Sequence, residues 1–334
     1  MDEPTSSLTL RESEKLFEIV EELRHSGISV IYISHSLEEV LKIAERITIL
    51  RDGERVGDLG AKDTHHDEIV RLMVGREFST WFPKRLGKPG EVVLEVKSLV
   101  VPGSSFGVSF QARRGEILGF AGLVGSGRTE LMRTIFGIDA PLGGLMKFEG
   151  SVFRPRTPRD AIRRGIYLAP EDRKLHGLVP AMEVDKNISL PDIGNYRPRW
   201  ILQRKIERRV ATEQVSKLAV KTPSIRQRVV NLSGGNQQKV VLGKWLAMQP
   251  RLLILDEPTR GIDIGAKAEI YRHIATLADS GITVLMISSE MEEILGMSDR
   301  LIVFHERRIT GEIPREEATE EKVLRLMTGK EHAA

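Results

Sequence analysis

Apolar residues in this chain fall into two kinds of run. Short apolar stretches, Glu116–Phe120 and the unbroken Leu252–Leu255, read as strands, the second a parallel strand buried on both faces. Elsewhere they recur at helical spacing, as with Leu131, Met132 and Ile135, which predict a helix over Glu130–Phe136. The first 85 residues carry a smaller set of the same signals. Helices are predicted near Arg11–Arg24 and Leu37–Ile43, a strand at Ile28–Ser34, and a hairpin turning at Asp52-Gly53 between Ile47–Leu50 and Arg55–Leu59. Phe82–Gly90, with two prolines and two glycines, reads as a linker. A strand-rich front follows over Glu91–Glu149, then a helical insertion at about 181–230, then an α/β remainder ending in a helix over Glu316–Met327.

These patterns are partly a repeat. Asp-Glu-Pro-Thr occurs at Asp2–Thr5 and again at Asp256–Thr259, and the two copies stay in gapless register at an offset of 254 as far as Glu77 and Glu331. His25–Ser34 answers Asp279–Ser288, and Arg71–Glu77 answers Arg325–Glu331, with apolar positions exchanged mainly for apolar ones. In the second copy the acidic pair closes the strand Leu252–Leu255, whereas the first copy keeps only Met1 of that run. The expectation is a chain that starts mid-strand, with the C-terminal part of one domain at 1–85, a complete second domain at 86–334, and about 165 residues of the first domain absent. Apolar side chains of the first segment should then lack partners and leave it loosely held.

Composition adds limits. Forty per cent apolar and 29% charged residues fit an ordinary globular protein, and the lack of cysteine removes disulfides and zinc–thiolate sites. No apolar run reaches the length of a membrane span, so work at a membrane requires a partner to supply the spans. A net charge of +3 against 50 basic and 47 acidic side chains gives no polyanion-binding signal. The basic stretch Arg197–Arg209 reads as a solvated helix face, and Trp81 and Trp200 as covers for apolar surface, so no nucleic-acid partner is expected.

Three motifs carry chemistry. Gly122-Leu-Val-Gly-Ser-Gly-Arg-Thr129 lies between a strand and a helix, where glycines let successive amides from Gly125, Ser126, Gly127, Arg128 and Thr129 face one anion at the positive end of the helix. The P-loop pattern wants lysine at position 128; Arg128 keeps the charge but has a bulkier, planar head of different reach. Thr129 stands where a hydroxyl would ligate Mg²⁺. Asp256 ends the buried strand, placed to hold Mg²⁺ through water, and Glu257 is placed to orient or deprotonate an attacking water. Between them, Ser233, Gly234 and Gly235 open a second helix and offer a second anion site, although a Ser-Gly-Gly turn alone also serves as a simple helix cap.

The order of P-loop, Leu-Ser-Gly-Gly and acidic strand resembles that of the ATP-binding cassette (ABC) transporter ATPases, over essentially the whole chain. Leu232–Val240, Asp256–Asp263, Pro170–Lys174 and Ser288–Met291 are similar to the second cassette of bacterial monosaccharide importers of the ribose, xylose and galactoside type, in which arginine at the Arg128 position is usual. The resemblance implies an α/β fold of the P-loop NTPase type, with an antiparallel front sheet, a mixed or parallel core sheet flanked by helices, and a helical insertion, preceded by the end of another cassette. The short linker argues against the soluble, ribosome-acting members.

It also implies roles. Glu171 stands where a glutamine normally senses γ-phosphate and metal. Asp263 stands in the loop that crosses the cassette interface. His35 matches the histidine that touches γ-phosphate, while its register partner is Ser289. Glu3 and His35, with Glu257, are the implied catalytic residues, and ATP and Mg²⁺ the cofactors. Each site of the family combines the P-loop of one cassette with the Leu-Ser-Gly-Gly of the other, and neither composite is complete here. The implied function is the ATP-hydrolysing, energy-coupling subunit of a sugar importer at the cytoplasmic face of the inner membrane. Its partners would be transmembrane permease subunits, through them a periplasmic or extracellular sugar-binding protein, and a second cassette or second copy of the chain. The alternative is a non-catalytic nucleotide-binding regulatory module.

Overall fold

The computed structural model describes the chain except residues 3, 6–9, 35–36, 52, 66–67, 70–71, 74–81, 197–202 and 330–334. The chain divides into two compact units, residues 1–81 with 263–268, and residues 82–262 with 269–334.

The first unit holds the helices Leu10–His25 and Leu37–Ile43 and a two-stranded antiparallel sheet, β1 (Arg46–Arg51) and β2 (Glu54–Gly60). In the second copy the same elements recur 254 residues on: helices Ile264–Asp279 and Met291–Met297, and strands at Arg300–His305 and Arg308–Pro314. Even the β-bulge is repeated, between Ile49 and Leu50 and again between Val303 and Phe304.

One predicted element differs. Ile28–Ser34 forms no strand; it makes a single parallel bridge, Asp2 to Ile33. The bridge keeps the register of the second copy, where Asp256 pairs with Ile287. The reason is neighbours: Thr283–Ile287 is hydrogen-bonded on both sides, whereas among the described residues its counterpart makes strand-like backbone hydrogen bonds with Met1 alone. Burial follows the same line. Ile31, Ile33 and Leu50 are 80%, 54% and 65% exposed, while Leu285, Ile287 and Phe304 at the matching positions are at most 1% exposed.

The second unit is built on two sheets. Strands β3 (Val92–Val100), β4 (Gly107–Arg113), β6 (Gly143–Phe148) and β7 (Ser151–Phe153) form an antiparallel sheet in the order β4-β3-β6-β7. The core sheet has the order β12-β11-β5-β10-β9-β8, with β5 (Ile117–Gly122), β8 (Ile166–Ala169), β9 (Leu252–Asp256), β10 (Thr283–Ile287) and β11 (Arg300–His305) parallel and β12 (Arg308–Pro314) antiparallel at the edge. β5, β9 and β10 are buried at every position, which explains why the first two read as short apolar strands. The core between the sheets includes Phe110, Phe120, Leu131, Phe148, Ile254 and Phe304. The insertion carries the helices Val184–Ser189 and Arg204–Lys217, where buried Glu207 is held by Lys186 and Ser189. The final helix is Glu320–Met327, started by Thr319, later than the predicted Glu316 because Arg315–Glu317 is a separate 3-10 turn.

Phe82–Gly90 has no regular structure, yet it is anchored to the second unit. The Arg85 side chain is buried, donates to the Gly115 carbonyl, and pairs with Asp279 at 3.1 Å. Phe82 packs against Tyr271. The glycines and prolines signalled irregular backbone correctly but not its attachment.

Candidate nucleotide site

Strand order places the chemistry. β5, β10 and β9 are adjacent in the sheet and parallel, so their carboxyl ends line up: the glycine loop after β5, Ser288-Ser289 after β10, and Asp256-Glu257 at the end of β9. Ligands of open α/β sheets bind at that edge.

The loop turns as its glycines demand. Gly125 and Gly127 have φ of 79° and 100°, and Gly127 precedes the helix Arg128–Phe136, with no side chain capping that end. Space around Gly125 is open, so its backbone can meet an anion directly. Gly122 is buried where a Cβ would strike the Ser126 hydroxyl and the Phe304 carbonyl. Ser126 Oγ is buried without a hydrogen-bond partner among the described residues.

Arg128 is buried and its guanidinium donates to the carbonyls of Phe120 (3.3 Å) and Ser288 (2.9 Å) at the ends of β5 and β10. Burial lowers its pKa, against the nearby charges of Glu257 and Asp256, which raise it. The arginine head is thus fastened to the sheet edge beside the acidic pair.

Asp256 is 3% exposed. Burial pushes its carboxyl up to about 6, the Glu257 charge adds to this, and a hydrogen bond from Thr129 and the charge of Arg128 oppose it. Its Oδ1 is buried with no hydrogen-bond partner among the described residues. An orphaned carboxylate oxygen next to a threonine hydroxyl is an all-oxygen donor set that fits Mg²⁺, which takes few protein ligands and completes its shell with water and phosphate. Glu257 adopts φ of 50°, uncommon for a side-chain-bearing residue, and its amide donates to the Ile287 carbonyl. The amide and hydroxyl of Ser289 both donate to Glu257 Oε2, each at 3.0 Å, so the carboxylate is held against the end of β10.

Of the residues expected from sequence, Thr129, Asp256, Glu257 and Arg128 meet at this edge. Glu171 pairs with Arg260 instead of standing free. Ser233 caps the helix Gly234–Leu246 through its backbone; its hydroxyl takes a hydrogen bond from Asn236, and Gly234 lies against Arg173 and the Gly261 carbonyl. Glu3, His35, Trp81 and Trp200 lie outside the described residues. Sequence reasoning missed Arg173 and Arg307. Arg307 stands at the register position of Gly53, both at positive φ; its amide donates to the Ser126 carbonyl and its side chain covers Gly127. The exchange of glycine for arginine between the copies was the available signal.

A glycine-loop helix and an acidic strand ending at the same carboxyl edge of a parallel sheet define a P-loop nucleotide-binding cassette. The model of the ABC transporter family matches residues 106–260. The chain is 46% identical over 329 residues to the ribose import ATP-binding protein RbsA of Bacillus licheniformis, covering 98% of this chain and 67% of that protein. It is 51% identical to ribose import ATP-binding protein RbsA 2 of Rubrobacter xylanophilus (98% and 63%) and 50% identical to the xylose import ATP-binding protein XylG of Thermoanaerobacter pseudethanolicus (98% and 67%). The chain therefore belongs to the ABC transporter ATP-binding family, and it spans about two thirds of the length of these relatives. Among solved structures, a nucleotide-free ATP-binding cassette from an ABC transporter matches 70% of this chain and 95% of its own with a TM-score of 0.61 at 23% identity, a likeness of fold.

Proposed function

We propose that this chain is the ATP-binding and ATP-hydrolysing part of the energy-coupling subunit of a bacterial monosaccharide importer. The observation that carries the reading is the joined edge of Thr129, Asp256 and Glu257 beside an open glycine loop, in a chain whose relatives are ribose and xylose import ATP-binding proteins. Amides from Gly125 to Thr129 hold the phosphates, and Glu257 orients the attacking water. Thr129 and Asp256 would hold Mg²⁺, which neutralises phosphate charge when bound. Ser233, Gly234 and Gly235 act on a nucleotide presented by a second cassette or a second copy, and Glu3 and His35 serve the other composite site. Glu171 contributes through its loop. The partners are transmembrane permease subunits and, through them, an external sugar-binding protein, with the chain peripheral at the cytoplasmic face; among the described residues no helix is long and apolar enough to cross a membrane.

The test is reconstitution of the full-length protein with its permease in vesicles. ATP-dependent monosaccharide uptake is expected, and absence of both uptake and ATP turnover would sink the reading. In this 334-residue chain, Mg²⁺-dependent binding of a fluorescent ATP analogue is expected, and Asp256→Asn should remove the Mg²⁺ dependence.

A further inference from the structure

Three motifs converge on one side chain that no catalytic role has claimed. Asp172 accepts hydrogen bonds from the amides of Lys174 and Leu175, both at 2.9 Å, and so fixes the turn that carries Arg173. The Arg173 guanidinium donates to two successive carbonyls, Arg260 (2.6 Å) and Gly261 (2.9 Å), in the turn that follows the acidic strand β9. Beside it the Glu171 carboxylate pairs with the Arg260 side chain.

The same guanidinium abuts the first residue of the helix Gly234–Leu246. A Cβ on Gly234 would stand 2.8 Å from Arg173 Nη2 and 2.8 Å from the Gly261 carbonyl, so helix start, guanidinium and turn are in direct contact. Four residues further along, the Gly177 carbonyl accepts from Lys244 near the other end of that helix. The segment 170–177 is therefore attached to the turn's backbone by Arg173 and to its Arg260 side chain by Glu171, and it touches the helix near both ends.

We propose that Arg173 is a positioning residue that couples the turn 259–262 to the Leu-Ser-Gly-Gly helix start, so that a displacement of the acidic strand edge reaches residues 233–237. This rests on the reading of the strand edge as a nucleotide site, because nucleotide is what would displace it. The chemistry suits arginine: a planar fork grips two neighbouring carbonyls at once, which a lysine ammonium on a single point cannot do as well.

Hydrogen exchange of the 334-residue chain, read by mass spectrometry with and without ATP and Mg²⁺, tests it. Without nucleotide, Arg173→Ala should speed exchange in 259–262 and 233–237 together by about tenfold, the factor expected for loss of 1.4 kcal/mol, and leave β5 and β10 unchanged. Arg173→Lys should fall between. Arg260→Ala, which leaves the accepting carbonyl in place, should give less than the alanine variant at 173. With nucleotide, the wild type should gain protection in both segments and Arg173→Ala only in 259–262. Uniform loosening of the unit would reduce Arg173 to a structural role and overturn the proposal; so would protection of 233–237 that persists in Arg173→Ala, or loss of nucleotide binding in that variant. If the wild type binds no nucleotide, the reading of the site fails, while the arm without nucleotide still decides whether the two segments are joined.

Discussion

Replacing Asp256 by asparagine separates stability from function at the strand edge. The folded chain holds this carboxyl at about 6 against an ordinary 3.8, mainly through burial. The folded state thus binds the proton more tightly than the unfolded state, so the stabilisation is complete below pH 3.8 and is lost as pH rises through about 6. Integrated over the whole shift the effect is about 3 kcal/mol, and between pH 4.5 and 7.5 about 2 kcal/mol. Wild type should therefore lose about 2 kcal/mol relative to Asp256→Asn across that range, because asparagine has no proton to exchange. The assay is urea unfolding of both proteins at the two pH values, followed by the fluorescence of Trp245, which stacks on Tyr167 in the second unit, in chains with Trp81 and Trp200 replaced by Phe. A stability difference between the two proteins that is the same at both pH values would refute the argument. Adding Mg²⁺ to ATP at pH 7.5 should raise the midpoint of wild type further than ATP alone and leave that of Asp256→Asn where ATP alone puts it, since the bound cation offsets the buried charge.

Four further outcomes are expected. Gly119→Ala drives a methyl into Ser298 at the end of the helix Met291–Met297 and should cost on the order of 1–3 kcal/mol by urea unfolding. Ile254→Ala in fully buried β9 should cost about 2–5 kcal/mol in the same assay. Limited proteolysis should cut the exposed stretch 28–34 before any site in β5, β9 or β10; equal resistance would contradict the burial contrast between the copies. Gly234→Ala pushes against the Gly261 carbonyl and should speed exchange in 233–237 as Arg173→Ala does, measured by the same mass spectrometry.

Much of this protein was legible because its code is local or periodic. The glycine loop, the acidic strand ending and the 254-residue register follow from spacing alone, and the structure places repeated helices, hairpin and even the bulge at that offset. β5 and β9 read as strands because they are buried at every position. Tertiary structure decided what depends on neighbours. Ile28–Ser34 has the residues of a strand but too few partners among the described residues to be one, as the exposure of Ile31 and Ile33 against the burial of Leu285 and Ile287 shows. Likewise, the family resemblance implies that Glu171 stands in a sensing loop, yet the fold turns its carboxylate to Arg260 and brings Arg173 onto the carbonyls of the same turn. A sequence fixes which groups a segment offers; pairing, burial and the resulting pKa of Asp256 arise only when distant segments exclude water around them.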